Sequence, residues 1–69
     1  MLGAQQAASN VGRMFTERLR RGLTRKDVAT AAQVSERAIR KYEEGRSYPT
    51  REIYNRLANM FSWDLWEEC

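Results

Sequence analysis

Between Ser35 and Lys41 the chain gathers a hydroxyl, a carboxylate, a methyl and three cations within two helical turns. Each has a recognisable counterpart on a nucleobase edge. The planar guanidinium of Arg37 can donate two parallel hydrogen bonds to guanine O6 and N7. Glu36 can accept from cytosine N4, and the Ala38 methyl suits a thymine methyl. Ser35, Glu36, Arg37, Ala38 and Lys41 are therefore the candidate base-reading residues. A second set, Thr24, Arg25, Arg40, Arg46, Ser47 and Thr50, offers hydroxyl, guanidinium and helix-start amide donors of the kind that hold phosphate oxygens. The competing reading is a solvated charged helix face, and charge alone does not separate the two.

Bond-making chemistry has fewer candidates. The chain has no histidine and one cysteine, Cys69. Ser-His-Asp triads, Cys-His pairs and zinc sites built on Cys/His clusters are thereby excluded. No paired carboxylates or glycine-rich phosphate loop stand out either, so no enzyme, cofactor or metal is expected. The net charge is +3 over 69 residues, unevenly spread. Up to Thr50 there are ten Lys/Arg against five Asp/Glu; from Arg51 on there are two against four. A basic body suits a polyanion met by one side of the molecule. No apolar run approaches the roughly 20 residues of a membrane span. Met1 to Asn10 lacks the charged-then-apolar order of a secretory signal. The expected location is cytoplasmic, with no membrane partner.

Helices are needed to position these side chains. Residues 1–8 read as a flexible N-terminal arm and residues 9–69 as the folded domain. Ser9 or Asn10 can cap a first helix carrying Val11, Met14, Phe15, Arg18 and Leu19 on one stripe, which Gly22 ends. Leu23 packs, and Thr24 with Asp27 forms a shortened capping box for a second helix. Val28, Ala29 and Ala32 give that helix a narrow face that admits a close neighbour. Ser35 caps a third helix running to about Glu44, with Ala38, Ile39 and Tyr42 turned inward and Gly45 beyond it. After a loop through Pro49, Thr50 caps a fourth helix with Ile53, Tyr54, Leu57, Ala58 and Phe61 inward. Asp64 with Glu67 is the expected cap of a short fifth helix holding Leu65 and Trp66. No strand-like alternation occurs. The expected fold is all-α, compact and five-helical, with its second and third helices joined through Gln33 to Ser35. Two short capped helices on a tight turn make a helix-turn-helix, whose second helix enters the DNA major groove.

The stretch from Arg18 to Glu43 resembles the Cro/repressor helix-turn-helix family of lambdoid phages and bacterial regulators. The residues that carry the resemblance are Arg18, Gly22-Leu23-Thr24, Val28-Ala29, Ala32, Val34-Ser35, Ile39, Tyr42-Glu43 and Gly45, then Pro49, Leu57-Ala58 and Phe61. The resemblance implies a lambda-repressor-like domain that binds specific double-stranded DNA and regulates transcription, as a repressor. It implies that Ala29 is the small residue where the two motif helices touch. It makes Arg18 and Glu43 a partly buried ion pair, Arg25 a phosphate ligand, and Glu36, Arg37 and Lys41 base readers. Arg46 and Ser47 follow the DNA backbone from the loop. A homodimer on a palindromic operator is implied as well. Two positions depart from the family frame. Gln33 stands where the turn has glycine, and a left-handed residue other than glycine costs roughly 1–2 kcal/mol. Arg51 stands where an apolar residue is usual.

The tail carries Trp63 and Trp66. Clustered aromatics mark contact surfaces, so both are candidate dimer contacts, although Trp63 and Leu65 can equally cap a small core. An alternative function uses the same fold: an antitoxin-like module that binds a partner protein and autoregulates its operon. The aromatic tail or the N-terminal arm would then hold the protein partner.

Overall fold

The computed structural model of the protein describes residues 3–66, and the regular elements among them are all helices. These are α1 (Ala4–Gly12), α2 (Met14–Arg20), α3 (Arg25–Ala32), α4 (Glu36–Glu43) and α5 (Arg51–Phe61). The helix-turn-helix is α3–α4. It lies one helix later in the chain order than the sequence led us to expect, because the N-terminal stretch divides differently.

The expected flexible arm is helical from Ala4. Ala7 and Val11 lie one turn apart and are each 2% exposed, so this helix carries part of the core. Ser9 and Asn10 lie inside α1 rather than capping it, and the N-cap is Gly3 without a side-chain bond. A break at Arg13 (φ −95°, ψ −1°) separates α1 from α2. On α2 the inward stripe is Met14 and Arg18, while Phe15 and Leu19 remain 45% and 56% exposed. Arg18 takes the inward place because its guanidinium finds partners there. Phe15 lies at the edge, 5.3 Å from the Arg18 guanidinium carbon.

The three central caps form locally. Thr24, Ser35 and Thr50 have extended backbones, and their hydroxyl oxygens accept from the amides of Asp27, Ala38 and Ile53 respectively. At α3 the box is reciprocal: the Asp27 carboxylate accepts from the Thr24 amide at 2.9 Å. That bond and the Thr24 hydroxyl hold the Asp27 carboxyl below its ordinary pKa.

α3 packs against both α4 and α5. Its contact face is Val28, Ala29 and Ala32, all buried, and the short side chains let α4 and α5 approach closely. Ile39 and Tyr42 come in from α4, and Tyr54, Leu57, Ala58 and Phe61 from α5. Tyr54 is fully buried with its hydroxyl satisfied on both sides. It accepts from Asn10 Nδ2 and donates to the Asp64 carbonyl, each at 2.9 Å, joining α1, α5 and the tail.

The short helix expected from Asp64 does not form over Asp64–Trp66. Tertiary bonds replace the local cap. The Asn55 side chain accepts from the Trp66 amide at 2.8 Å and donates to the Trp66 carbonyl at 3.2 Å. Trp63 stacks between Phe61 (centroids 4.9 Å) and Tyr54 (5.7 Å), and Trp66 meets Tyr54 edge-on at 5.9 Å. Both candidate dimer contacts thus pack on the core of their own chain. Glu67, the expected partner of Asp64 in that cap, lies outside the described residues.

The turn between α3 and α4 is left-handed at Gln33 (φ 60°, ψ 43°). The Val34 amide reaches back to the Ala29 carbonyl at 3.0 Å, closing α3 in the manner of a glycine-ended helix. Gln33 is exposed and its side chain makes no hydrogen bond among the described residues. Gln33→Gly removes the steric cost but frees the unfolded chain, a net gain of about 0.5–1 kcal/mol. The thermal midpoint is expected to rise by roughly 2–8 °C. A lowered midpoint would show that the strain at Gln33 is smaller than the entropic cost of glycine.

Candidate nucleic-acid interface

α4 divides its residues cleanly between core and solvent. Ile39 is fully buried and Tyr42 nearly so, and burial pushes the Tyr42 phenol pKa up. The same 3.6-residue period turns Glu36, Arg37, Arg40 and Lys41 outward, where all four are exposed. Ala38 is half-buried against the core, so less of its methyl is available to a base than the sequence reading assumed.

Two hollows border this outward face. One, of about 420 Å³, is lined by Arg25, Glu36, Arg37 and Arg40. The other, of about 290 Å³, is lined by Arg37, Arg40, Lys41, Glu44 and Arg46. Arg37 and Arg40 belong to both, so α4 forms the ridge between two basic depressions. The structure thereby brings together Arg25, Glu36, Arg37, Arg40, Lys41 and Arg46. Ser35, Thr24, Ser47 and Thr50 line neither hollow. The hydroxyls of Thr24, Ser35 and Thr50 accept their capping bonds and keep a hydrogen to donate outward. Ser47 is half-buried in the loop between α4 and α5.

The cations around α4 fall into two electrostatic classes. Arg37 and Lys41, one turn apart, make no ion pair among the described residues. The other three are held. Arg25 Nε lies 3.1 Å from Glu43 Oε1, Arg40 Nε lies 3.2 Å from Glu44 Oε2, and Arg46 Nε lies 3.4 Å from Glu44 Oε1. Two neighbouring glutamates at the end of α4 thus do opposite jobs. Glu43 points inward, its side chain 3% exposed, and Glu44 stays 39% exposed.

Glu43 is the inner anchor of the motif. Arg18 Nε meets Glu43 Oε2 at 2.7 Å, with the arginine side chain 8% exposed. The Arg18 Nη1 donates to the Leu23 carbonyl at 3.0 Å. One arginine therefore fixes α2, the entry to α3 and the end of α4. The second carboxylate oxygen is taken by Arg25, which ties the start of α3 to the same point.

Sequence reading missed Glu44. Half of its signal was present: it stands four residues after Arg40, a spacing at which helical side chains meet, whereas Arg46 lies in the loop beyond the helix end and reaches it through no helical period. Among the described residues no group of three His, Cys, Asp or Glu side chains is gathered as a metal ligand set, and no helix is long and apolar enough to cross a membrane.

Comparison with curated proteins finds no match, and comparison with solved structures finds none. The family model of the helix-turn-helix domain matches residues 12–64. That span runs from the end of α1 to Asp64 in the tail, and it contains the whole α3–α4 unit and both hollows. With the match extending over most of the chain, and with α4 placed as the outward second helix of the motif, this chain belongs to the helix-turn-helix domain family of DNA-binding domains.

Proposed function

We propose that the domain is a sequence-specific double-stranded DNA-binding regulator of transcription, with α4 in the major groove. The observation that carries this reading is a pair of exposed cations on the outward face of the second motif helix, Arg37 and Lys41, which make no ion pair among the described residues. Glu36 precedes them in the first turn, where the positive end of the helix dipole favours its charge. Arg25, Arg40 and Arg46 line the hollows on either side and serve the phosphates that flank the groove. Thr24, Ser35, Ser47 and Thr50 supply further donors along that side. A repressor follows most simply, since a small domain that covers an operator blocks other proteins from it. The operator is palindromic and is read by two copies, because half-sites one helical turn apart mirror a two-fold dimer.

Selecting bound duplexes from a random pool tests this directly. A recovered palindrome supports both the reading and the dimer; recovery of unselected sequence overturns base readout. Binding should also weaken with salt, with a log–log slope near −0.9 per phosphate neutralised.

A second reading, a protein-binding antitoxin-like module, is favoured by one observation. Phe15 and Leu19 lie one turn apart on α2 and are both largely exposed. Of the segments the sequence offered to a protein partner, α1 docks through Ala7 and Val11, Trp63 and Trp66 pack on Tyr54, and Leu65 stays 44% exposed. A stoichiometric partner in the purified protein would support this reading over the first.

A further inference from the structure

Glu44 occupies a place that helix stability does not explain. It is the C-cap residue of α4 (φ −84°, ψ −4°), at the negative end of the helix dipole, where a carboxylate is disfavoured. Its pair with Arg40 runs from cation to anion along the helix, the weaker of the two orientations. Yet its two oxygens engage two arginines, Arg40 at 3.2 Å and Arg46 at 3.4 Å. Both arginines line the hollow beside Arg37 and Lys41. A carboxylate holding two guanidinium groups by their Nε atoms does what a phosphate of a DNA backbone would do there.

We infer that Glu44 is an internal competitor for DNA phosphates, which holds Arg40 and Arg46 in the free protein and limits sequence-independent binding. This inference rests on the DNA-binding reading above and names a specificity device within the same surface. Sequence-independent affinity comes from phosphate neutralisation, so a fixed negative charge inside the phosphate-binding hollow acts directly on it. A phosphate entering the hollow must take the arginines from Glu44 and accept its charge nearby. Arg37 and Lys41 have no such competitor among the described residues, so the base-reading side chains stay available while the backbone grip is held down. The balance favours the site where base contacts add to a weakened electrostatic term.

The test compares Glu44→Gln with Glu17→Gln on a random-sequence duplex across a salt series. Glu17 is a matched control. It too faces two arginines, Arg20 at 3.4 Å and Arg21 at 3.7 Å, but on α2 and outside both hollows. Both variants remove one negative charge and keep the side-chain shape. Glu44→Gln is expected to bind the random duplex about tenfold more tightly than the parent at low salt. Its log–log salt slope should steepen by about 0.9, one further phosphate neutralised. Glu17→Gln should move affinity by less than about threefold and leave the slope unchanged. Equal gains in the two variants would overturn the inference in favour of net charge alone. A Glu44→Gln affinity and slope equal to the parent would overturn it while leaving the DNA-binding reading intact. No salt-dependent binding by parent or variants would overturn that reading and this inference together. Glu44→Gln should not lower the urea midpoint, because a carboxylate at the negative end of the helix dipole does not stabilise α4.

Discussion

Glu43→Gln is expected to destabilise the domain by about 3–5 kcal/mol, the usual consequence of removing one member of a buried ion pair. The cost comes from what remains. Arg18 would stay 7% exposed with its charge no longer opposed. Its link to the Leu23 carbonyl would survive, but the join from α2 to the end of α4 would not. Stability for a chain of 69 residues is roughly 3–10 kcal/mol, so this single change removes much or all of it. Urea unfolding monitored by helical circular dichroism gives the value. A loss under about 1 kcal/mol would mean that the Arg18–Glu43 pair is incidental. A double variant, Arg18→Met with Glu43→Leu, separates charge from shape. It should be less destabilised than Glu43→Gln alone, since no unpaired charge is left inside.

The second large effect concerns Arg37 and reads out in binding rather than folding. Arg37→Ala should leave the unfolding midpoint near that of the parent, because the side chain is exposed and makes no ion pair among the described residues. On the selected operator it should cost about 1–3 kcal/mol and relax the preference at one base pair. Titration of the operator and of single-base variants gives both quantities. An equal loss on every sequence would assign Arg37 to a phosphate instead of a base. Arg40→Ala offers the contrast, with a weaker and uniform loss and a shallower salt slope.

The parts of this fold that were legible in the sequence are those decided within a few residues. Thr24, Ser35 and Thr50 announced three helix starts because a hydroxyl needs only the amide three residues on. Val28, Ala29 and Ala32 announced a close-packed face through size alone. Ala4 to Ala8 contains no large apolar side chain, so the sequence alone points to a loose arm there rather than a helix. Alanine is nevertheless the best helix former, and Ala7 with Val11 is enough to dock one face. The error at the tail ran the other way. Asp64 has the local pattern of a cap, but Asn55 supplies both backbone bonds of Trp66 from another element. The choice between those outcomes is tertiary and lies outside any short window.

The candidate interface divided in the same manner. The outward positions of α4 follow from its period, which alone places Glu36, Arg37, Arg40 and Lys41 on one face. Which cations are held and which are unpaired depends on reach across the fold. Arg25 and Glu43 are 18 positions apart and meet only because α3 lies against α4. Gln33 was readable as a departure from a family frame, and its φ of 60° shows that the backbone keeps the glycine geometry without the glycine. Ser62 repeats this at the end of α5, with φ 61° and the Trp63 amide returning to the Ala58 carbonyl.

The brevity of α4 has a consequence for how much a single copy can encode. Eight residues span about 12 Å at 1.5 Å each, which is about the width of the groove they would enter. Against a base-pair step of about 3.4 Å, that length addresses roughly four base pairs. A four-letter word recurs about once in 250 random positions, whereas a genome offers on the order of 10⁶ or more competing sites. One such head is a short address that many sites share. Two heads held at a fixed spacing square the odds, to about one in 60,000, and the spacing itself becomes part of the message. On the proposed DNA-binding reading, the eight-residue length of α4 limits how many base pairs one copy can address, independent of how tightly it holds its phosphates.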